Sequence, residues 1–190
     1  MIFLTSLIFI ILIHETGHLI AAKICNCKVP VFSIGFGKPL YKKKIGETIY
    51  QVCPILFGGY CELYGELKHL KSSHAFTNKT YSEKVFISLA GIIMNLITGG
   101  IAYTIGYHIQ NIWVFGFGYY SIWIGLTNAL PIPALDGSYP WFFLLEKKLG
   151  KKKTYLLMQK IFSAFFKWLM IINYLCIPLF IYWIWKGKIL

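Results

Sequence analysis

The chain has 190 residues, of which 57% are hydrophobic and only 14% are charged. Soluble domains average about 45–50% apolar and about 25% charged residues, so the composition argues against an ordinary soluble enzyme. All 19 basic residues are lysines, and against 7 acidic residues they give a net charge of +12. Nucleic-acid readers rely on arginine forks, whereas these lysines flank apolar segments. We therefore predict a membrane protein with no nucleic-acid partner.

The apolar segments are long enough to cross a bilayer several times. Between Lys84 and Asp136 the sequence contains no Lys, Arg, Asp or Glu. One membrane-spanning helix needs about 20 apolar residues, so this gap can hold two. We predict a single domain over 1–190, an all-α polytopic membrane protein with about four transmembrane helices. Their predicted ranges are 2–24, 82–107, 112–130 and about 168–185, the last one preceded by an amphipathic lead-in at 155–167.

The first apolar segment could instead be a cleaved signal peptide. It lacks a basic start, however, and it is longer than a typical leader core. It also carries His14, Glu15 and His18 in its interior. A disposable leader has no use for such side chains, so we predict a transmembrane helix here.

Residues 30–64 follow a different pattern, in which glycine and proline interrupt short runs of β-branched and aromatic residues. These runs predict strands at 31–34, 48–52 and 60–64, with a lysine-rich hairpin tip at 42–48. Irregular backbone at membrane depth must be buried in protein or line a wet cavity. We therefore predict a membrane re-entrant β-hairpin or small sheet between the first two spans. A loop is predicted at 131–153, after the third span.

The first span carries the pattern His14-Glu15-Thr16-Gly17-His18, which is an H-E-x-x-H sequence. Positions i and i+4 share a helix face, so both imidazoles can reach one Zn²⁺. Glu15 would then be placed to take a proton from metal-bound water. A charged residue at the centre of a span costs about 2.5–3.5 kcal/mol or more, so Glu15 indicates a functional site.

Two histidines leave zinc without a third protein ligand. The residues alone offer His69, His74, His108 and Asp136 as candidates. Asp136 is the only aspartate of the chain, and the alternative role for it is a turn or cap residue before Gly137. At this level the third ligand stays open.

Two stretches, His14–His18 and Asn128–Gly137, resemble the two signature motifs of the site-2 protease family of intramembrane zinc metalloproteases. Ala90–Asn95 is similar to the family's A-G-P-x-x-N stretch, with Ile92 in place of the usual proline. The matched region, residues 14–137, covers roughly two thirds of the chain. The chain has no room between its second and third spans for the PDZ domain that many relatives carry there.

The β region adds to this resemblance. Phe32–Gly37, Gly46–Thr48 and Phe57–Tyr60 look like the membrane re-entrant β-hairpin of bacterial members similar to the regulated sigma-factor protease. The resemblance implies that the hairpin offers a strand edge to an unwound substrate by β-augmentation. The hairpin residues assigned to this role are Gly35, Gly37, Gly58 and Gly59.

The resemblance further implies a role for each motif residue. His14, His18 and Asp136 would bind one Zn²⁺ per chain, with Glu15 as the general base. Asn128 would hold the substrate peptide or the oxyanion. Asn95 is a weaker candidate for the same role in binding substrate.

The implied function is intramembrane proteolysis of single-pass transmembrane proteins or signal-peptide remnants, in the cell membrane of a prokaryote. The bilayer and, optionally, a regulatory membrane partner would be its other contacts. Lysines at 23–84 and 147–167 predict that the active site faces the cytoplasm. The alternatives are a zinc-holding scaffold or transporter, and a different membrane zincin such as a prenyl-protein protease. Glu15 argues against the scaffold, and Glu146 lacks the context of a zincin's third ligand.

Overall fold

The structure is a computed structural model that describes residues 2–66, 70–150, 152–165 and 167–168. This part of the chain is mostly helical and contains one small sheet. The helices are α1 (Ile2–Ile24), α2 (Tyr81–His108), α3 (Ile112–Asn128) and α4 (Tyr139–Leu149), and residues 152–165 are helical as well. The strands are β1 (Val31–Phe36), β2 (Tyr41–Ile45), β3 (Thr48–Val52) and β4 (Ile55–Glu62).

Glycines allow α1 and α3 to lie unusually close to α2. A Cβ atom on Gly17 of α1 would lie 2.6 Å from the carbonyl oxygen of Ala90 on α2. A Cβ atom on Gly118 of α3 would lie 2.2 Å from the backbone nitrogen of Tyr103 on α2. Any side chain at either position would push the helices apart, so small residues set the packing of this bundle.

The outer face of α2 is apolar and unpartnered by the described residues. Ile93, Ile97, Ile101 and Ile105 recur every four residues and are 43–57% exposed. A continuous exposed apolar face is rare on soluble monomers and typical of a helix that contacts lipid. Both α1 and α2 are long and apolar enough to cross a membrane.

The predicted spans agree with the structure only in part. Helix α3 has 17 residues, which is the lower limit of the about 17–25 that a spanning helix uses. The fourth predicted span, 168–185, lies outside the described residues except for its first position. Four spans therefore remain a prediction.

The loop predicted at 131–153 instead contains α4, and the helix after it begins by residue 152 rather than at 155. Pro140 lies in the first turn of α4, where a proline is compatible with a helix because its missing N–H needs no partner. Lys147 and Lys148 lie in the last turn, where cations complement the helix dipole. Pro140, Lys147 and Lys148 therefore mark the two ends of α4.

The strands form one four-stranded mixed sheet in the order β2-β3-β1-β4. Strand β1 pairs in parallel with β3 and antiparallel with β4, while β2 and β3 form a hairpin. The register of β1 on β4 shifts next to Gly35, whose φ of +85° favours glycine. Strand β4 is an edge strand and begins at Ile55, earlier than predicted. It also contacts α1, and this contact brings the sheet to the site described below.

Candidate metal centre

His14 and His18 lie one turn apart on α1 and face α2. Their Nε2 atoms are 3.2 Å apart, and each residue is 8% exposed. The opposing residue on α2 is Gly91, where a Cβ atom would lie 2.4 Å from His18 Nε2 and 2.8 Å from His14 Nε2. The missing side chain of Gly91 therefore leaves the space in which the two imidazoles meet.

Asp136 reaches the same point from a short 3-10 turn, Asp136–Ser138, that follows α3. Its Oδ2 lies 2.8 Å from His14 Nε2 and 3.3 Å from His18 Nε2. Gly137 lets this turn pack on the end of α3, since a Cβ atom there would lie 2.1 Å from the carbonyl oxygen of Ala129. Burial by itself would raise the pKa of Asp136, but hydrogen bonds from the two imidazoles outweigh it and hold the pKa below its usual range.

A buried ion pair fixes the helix that follows Asp136. Lys84 Nζ on α2 donates to both carboxylate oxygens of Glu146 on α4, at 2.7 and 2.9 Å. The two side chains are only 3% and 11% exposed. Because α4 begins directly after the Asp136 turn, this pair ties the turn to the helix that carries Gly91.

Hydrogen bonding determines which nitrogen of His18 is available to a metal. His18 Nδ1 lies 2.7 Å from the carbonyl oxygen of Ile87, one turn before Gly91 on α2. A carbonyl oxygen can only accept, so Nδ1 carries the proton. In the neutral ring, Nε2 then has the lone pair that a metal ion binds, whereas in the protonated ring Nε2 donates to Asp136 instead.

The three groups have the spacing of metal ligands. A tetrahedral zinc site with bonds of about 2.0–2.1 Å has ligand-to-ligand distances of about 3.3 Å. The three distances among His14, His18 and Asp136 are 2.8, 3.2 and 3.3 Å. Imidazole nitrogen with carboxylate oxygen is a donor set that zinc accepts, and three protein ligands leave one position open for water. These residues therefore fit a catalytic zinc ion.

Glu15 lies beside these groups, at the wall of a cavity of about 730 Å³ that the three groups also line. It is 9% exposed, and its carboxylate accepts a hydrogen bond from the backbone N–H of Cys61 on β4. A Cβ atom on Gly59 would lie 2.9 Å from Glu15 Cγ, so glycine is needed for this approach. The outer edge of β4 therefore faces Glu15.

The residues predicted to bind substrate divide into two groups. Asn128 at the end of α3, Gly58 and Gly59 line the cavity. Gly35 lies on β1, which is paired on both sides, and Gly37 follows it, so neither supplies a free edge next to the cavity. The described sheet has two edge strands, β2 and β4, and of these two only β4 contributes residues to the cavity lining.

Asn95 does not lie where the sequence comparison suggested. It is fully buried, and its side-chain nitrogen lies 3.2 Å from Nδ1 of His14, on the far side of that ring from Asp136. A side chain with no exposed surface cannot contact a substrate in the cavity. The prediction that Asn95 contacts substrate does not agree with this position. Asn95 instead lies behind the imidazole of His14, away from the cavity.

The other histidines considered as third ligands lie elsewhere or outside the described residues. His74 contacts Asn26 through its Nδ1 atom. His108 ends α2, about 20 Å along the helix from Asn95 at 1.5 Å per residue. His69 is not among the described residues.

Sequence reasoning missed three residues of this site. Gly91 has no role at the metal site in the sequence-based prediction, although its place one turn before Asn95 in the A-G-x-x-x-N stretch puts both on one face of α2. Glu66 and Tyr139 also line the cavity, and the Tyr139 hydroxyl donates to the Glu66 carboxyl group. Burial raises the pKa of Glu66 to about 7. No pattern around Glu66 would have distinguished it from a surface glutamate.

Comparison with known proteins gives a consistent set of matches. The model of peptidase family M50 matches residues 2–114. A protein of Borreliella burgdorferi, provisionally named a zinc metalloprotease, is 42% identical over 108 residues, which are 52% of this chain and 25% of that protein. A protein of Neisseria meningitidis with the same provisional name is 32% identical over 109 residues, 55% of this chain and 24% of that protein. The chain thus spans about a quarter of the length of these relatives.

Among solved structures, the site-2 protease from Methanocaldococcus jannaschii has a similar fold. The TM-score is 0.58 at 16% sequence identity, and the match covers 94% of this chain and 70% of that chain. At this identity the likeness concerns the fold alone.

Proposed function

Because this chain belongs to peptidase family M50, we propose that it is an intramembrane zinc endopeptidase. The observation that carries this proposal is the convergence of His14, His18 and Asp136 beside Glu15 at one cavity. The provisional names of the relatives and the fold shared with a site-2 protease support it.

His14, His18 and Asp136 would hold the zinc ion, which when bound lowers the pKa of water in its open position towards about 7. Glu15 would take a proton from this water at its carboxylate and later deliver it to the leaving amine. A purely structural zinc site is closed by four protein ligands and needs no such base. The buried glutamate next to three candidate ligands therefore favours catalysis over a scaffold or transporter.

We propose that Asn128 acts on the scissile carbonyl group, and its position supports this role. It is half-buried at the end of α3 and lines the same cavity as Glu15. Its amide N–H groups would donate to the carbonyl oxygen as negative charge develops there. Removing one such donor from an enzyme typically costs about 10²–10³ in kcat.

The cavity wall formed by β4 suggests how a transmembrane substrate is bound. A peptide bond within a helix is shielded because its C=O accepts the N–H four residues on. Cleavage therefore requires an unwound segment, whose backbone groups need new partners in an apolar setting. The outer edge of β4 at Gly58 and Gly59 would supply them by β-augmentation. We propose single-pass transmembrane proteins or signal-peptide remnants as the substrate class.

We place the protein in the cell membrane of a prokaryote, with α1 and α2 among its spans. The lysines that follow α1 and those at the end of α4 would hold the active site towards the cytoplasmic face. Only residues 109–111 join α2 to α3, so we propose that substrates are selected by contacts with the sheet or by a regulatory membrane partner.

The proposal is tested by comparing membrane-anchored fragments in cells that produce the wild type, Glu15→Gln or Glu47→Gln. Glu47 is an exposed carboxylate in the turn between β2 and β3 and does not line the cavity, so its variant is a matched control for the change in charge. We expect cleaved fragments with the wild type and Glu47→Gln, and uncleaved precursors with Glu15→Gln. The purified Glu15→Gln protein should retain zinc, because the three ligands are intact. The same fragments in all three samples would remove the protease function.

A further inference from the structure

We infer that Asn95 is a positioning residue for His14, whose amide holds the imidazole in the tautomer that can bind metal through Nε2. The inference rests on the proposed zinc site and concerns a residue that no substrate could touch. It follows from the hydrogen bonds around His14.

Asn95 is held between α1 and α3. It is 0% exposed, and its backbone carbonyl oxygen accepts a hydrogen bond from the Ser121 hydroxyl of α3 at 3.0 Å. Its side-chain nitrogen lies 3.2 Å from His14 Nδ1. Its side-chain oxygen is buried and has no hydrogen-bond partner among the described residues. Buried polar atoms are nearly always paired, so this oxygen calls for an explanation.

The orientation of the amide decides which nitrogen of His14 carries the proton. With the amide nitrogen donating, Nδ1 accepts, and the proton sits on Nε2, which can donate to Asp136 Oδ2 at 2.8 Å. A protonated Nε2 cannot bind a metal ion. For His14 to be a ligand, Nδ1 must carry the proton and must find an acceptor.

Rotating the Asn95 amide by 180° supplies that acceptor. The oxygen, which has no partner to lose, would then lie opposite His14 Nδ1. Nε2 releases one proton to water and Nδ1 takes one from water, so the ring stays neutral throughout. Asn95 can therefore serve His14 in both the metal-free and the metal-bound site.

The tautomers of His14 and His18 are set by different kinds of hydrogen-bond partner. His18 donates through Nδ1 to the carbonyl oxygen of Ile87. Because a carbonyl oxygen can only accept a hydrogen bond, the neutral His18 ring must carry its proton on Nδ1. His14 faces an amide, which can either donate or accept. Ligand-orienting partners of this kind typically affect metal affinity by about 10–100-fold.

The test is zinc affinity, measured by competition with a fluorescent chelator on the purified full chain in detergent. Asn95→Leu has a similar volume and removes both donor and acceptor, while Asn95→Asp presents only acceptors. Thr98→Val is the matched polar-to-apolar control, since Thr98 lies on the same helix and, within the described part of the chain, its hydroxyl donates to the Met94 carbonyl oxygen alone. Thermal unfolding of each protein in excess chelator reports on the metal-free fold.

We expect Asn95→Leu to bind zinc about 10–100-fold more weakly than the wild type, and Asn95→Asp and Thr98→Val to bind it at least as tightly. Wild-type affinity in Asn95→Leu, or a loss in Asn95→Asp as large as that in Asn95→Leu, would overturn the inference while leaving the proposed function intact. If Asn95→Leu does not fold, Asn95→Asp decides alone, because a loss of 10-fold or more there contradicts an acceptor role. Absence of zinc binding by the wild type would overturn the zinc site and this inference together.

Discussion

The close contact between Gly91 and the two imidazoles makes Gly91→Ala a sharp test of the metal centre. The added methyl carbon would lie 2.4 Å from His18 Nε2 and 2.8 Å from the nearest atoms of His14. Ordinary contacts of this kind begin at 3.4 Å. His18 would therefore have to move by about 1 Å, or α2 would have to retreat from α1.

Neither movement is compatible with a bound zinc ion. Zinc–nitrogen distances vary by about 0.2 Å, so a displacement of about 1 Å removes His18 as a ligand. The same displacement would stretch the 2.7 Å bond from His18 Nδ1 to the Ile87 carbonyl oxygen beyond hydrogen-bond range. Since losing even a ligand's hydrogen-bond partner costs about 10–100-fold in affinity, losing the ligand should cost more than about 100-fold.

The assay is the zinc content and zinc affinity of purified Gly91→Ala, with Gly100→Ala as the control. Gly100 lies on the same helix, and a Cβ atom there meets nothing within 4 Å. The control should bind zinc like the wild type and be more stable by about 0.5–1 kcal/mol, because alanine favours a helix interior over glycine. Zinc affinity in Gly91→Ala within a few fold of the wild type would refute the placement of the metal between the two imidazoles.

Two further predictions concern residues around the site. Lys84→Met should destabilise the protein by about 3–5 kcal/mol, because the Glu146 carboxylate is left buried and unpaired, and Glu146→Leu in the same chain should restore most of the loss. Chemical unfolding in detergent measures both, and a double variant as unstable as the single one would contradict the pairing. The second prediction concerns pH: burial raises the pKa of Glu66 from 4.5 to about 7, so between these values the folded state binds more protons than the unfolded state. Stability should therefore fall as pH rises from about 4.5 to 7, and Glu66→Gln should flatten this part of the unfolding profile. An unchanged slope in that variant would exclude Glu66 as its source.

The similarity to site-2 proteases was predicted from ordered motifs, and it is confirmed by the family match and by the shared fold. The motif His14–His18 could be interpreted without a structure because helix geometry is local. Residues four apart lie on one face of any helix, so the pairing of His14 and His18 follows from spacing. Asp136 was different, since the residues alone left four candidates for the third ligand.

The order of the strands in the sheet could not be predicted from the sequence pattern. Alternating apolar residues and glycines predicted strands between α1 and α2, but not their order. Pairing between distant strands depends on which edges meet in space, and this places β1 inside the sheet and β4 at its edge. For that reason Gly58 and Gly59 lie at the cavity, whereas Gly35 and Gly37 do not.

Asn95 and Gly91 make the same point within a single helix. Their motif indicated a functional stretch, and a polar residue in such a stretch suggests contact with substrate. Only the packing of α2 against α1 shows that Asn95 lies behind His14 and that Gly91 leaves space in front of it.

Composition and spacing within single elements were enough to predict the apolar helices, the H-E-x-x-H pair and the zinc chemistry that this pair suggests. The meeting of Asp136 with His14 and His18 across 118 positions, and the side chains that surround them, became visible only in the folded chain. Such contacts arise from helix packing and strand pairing, which depend on the whole chain at once.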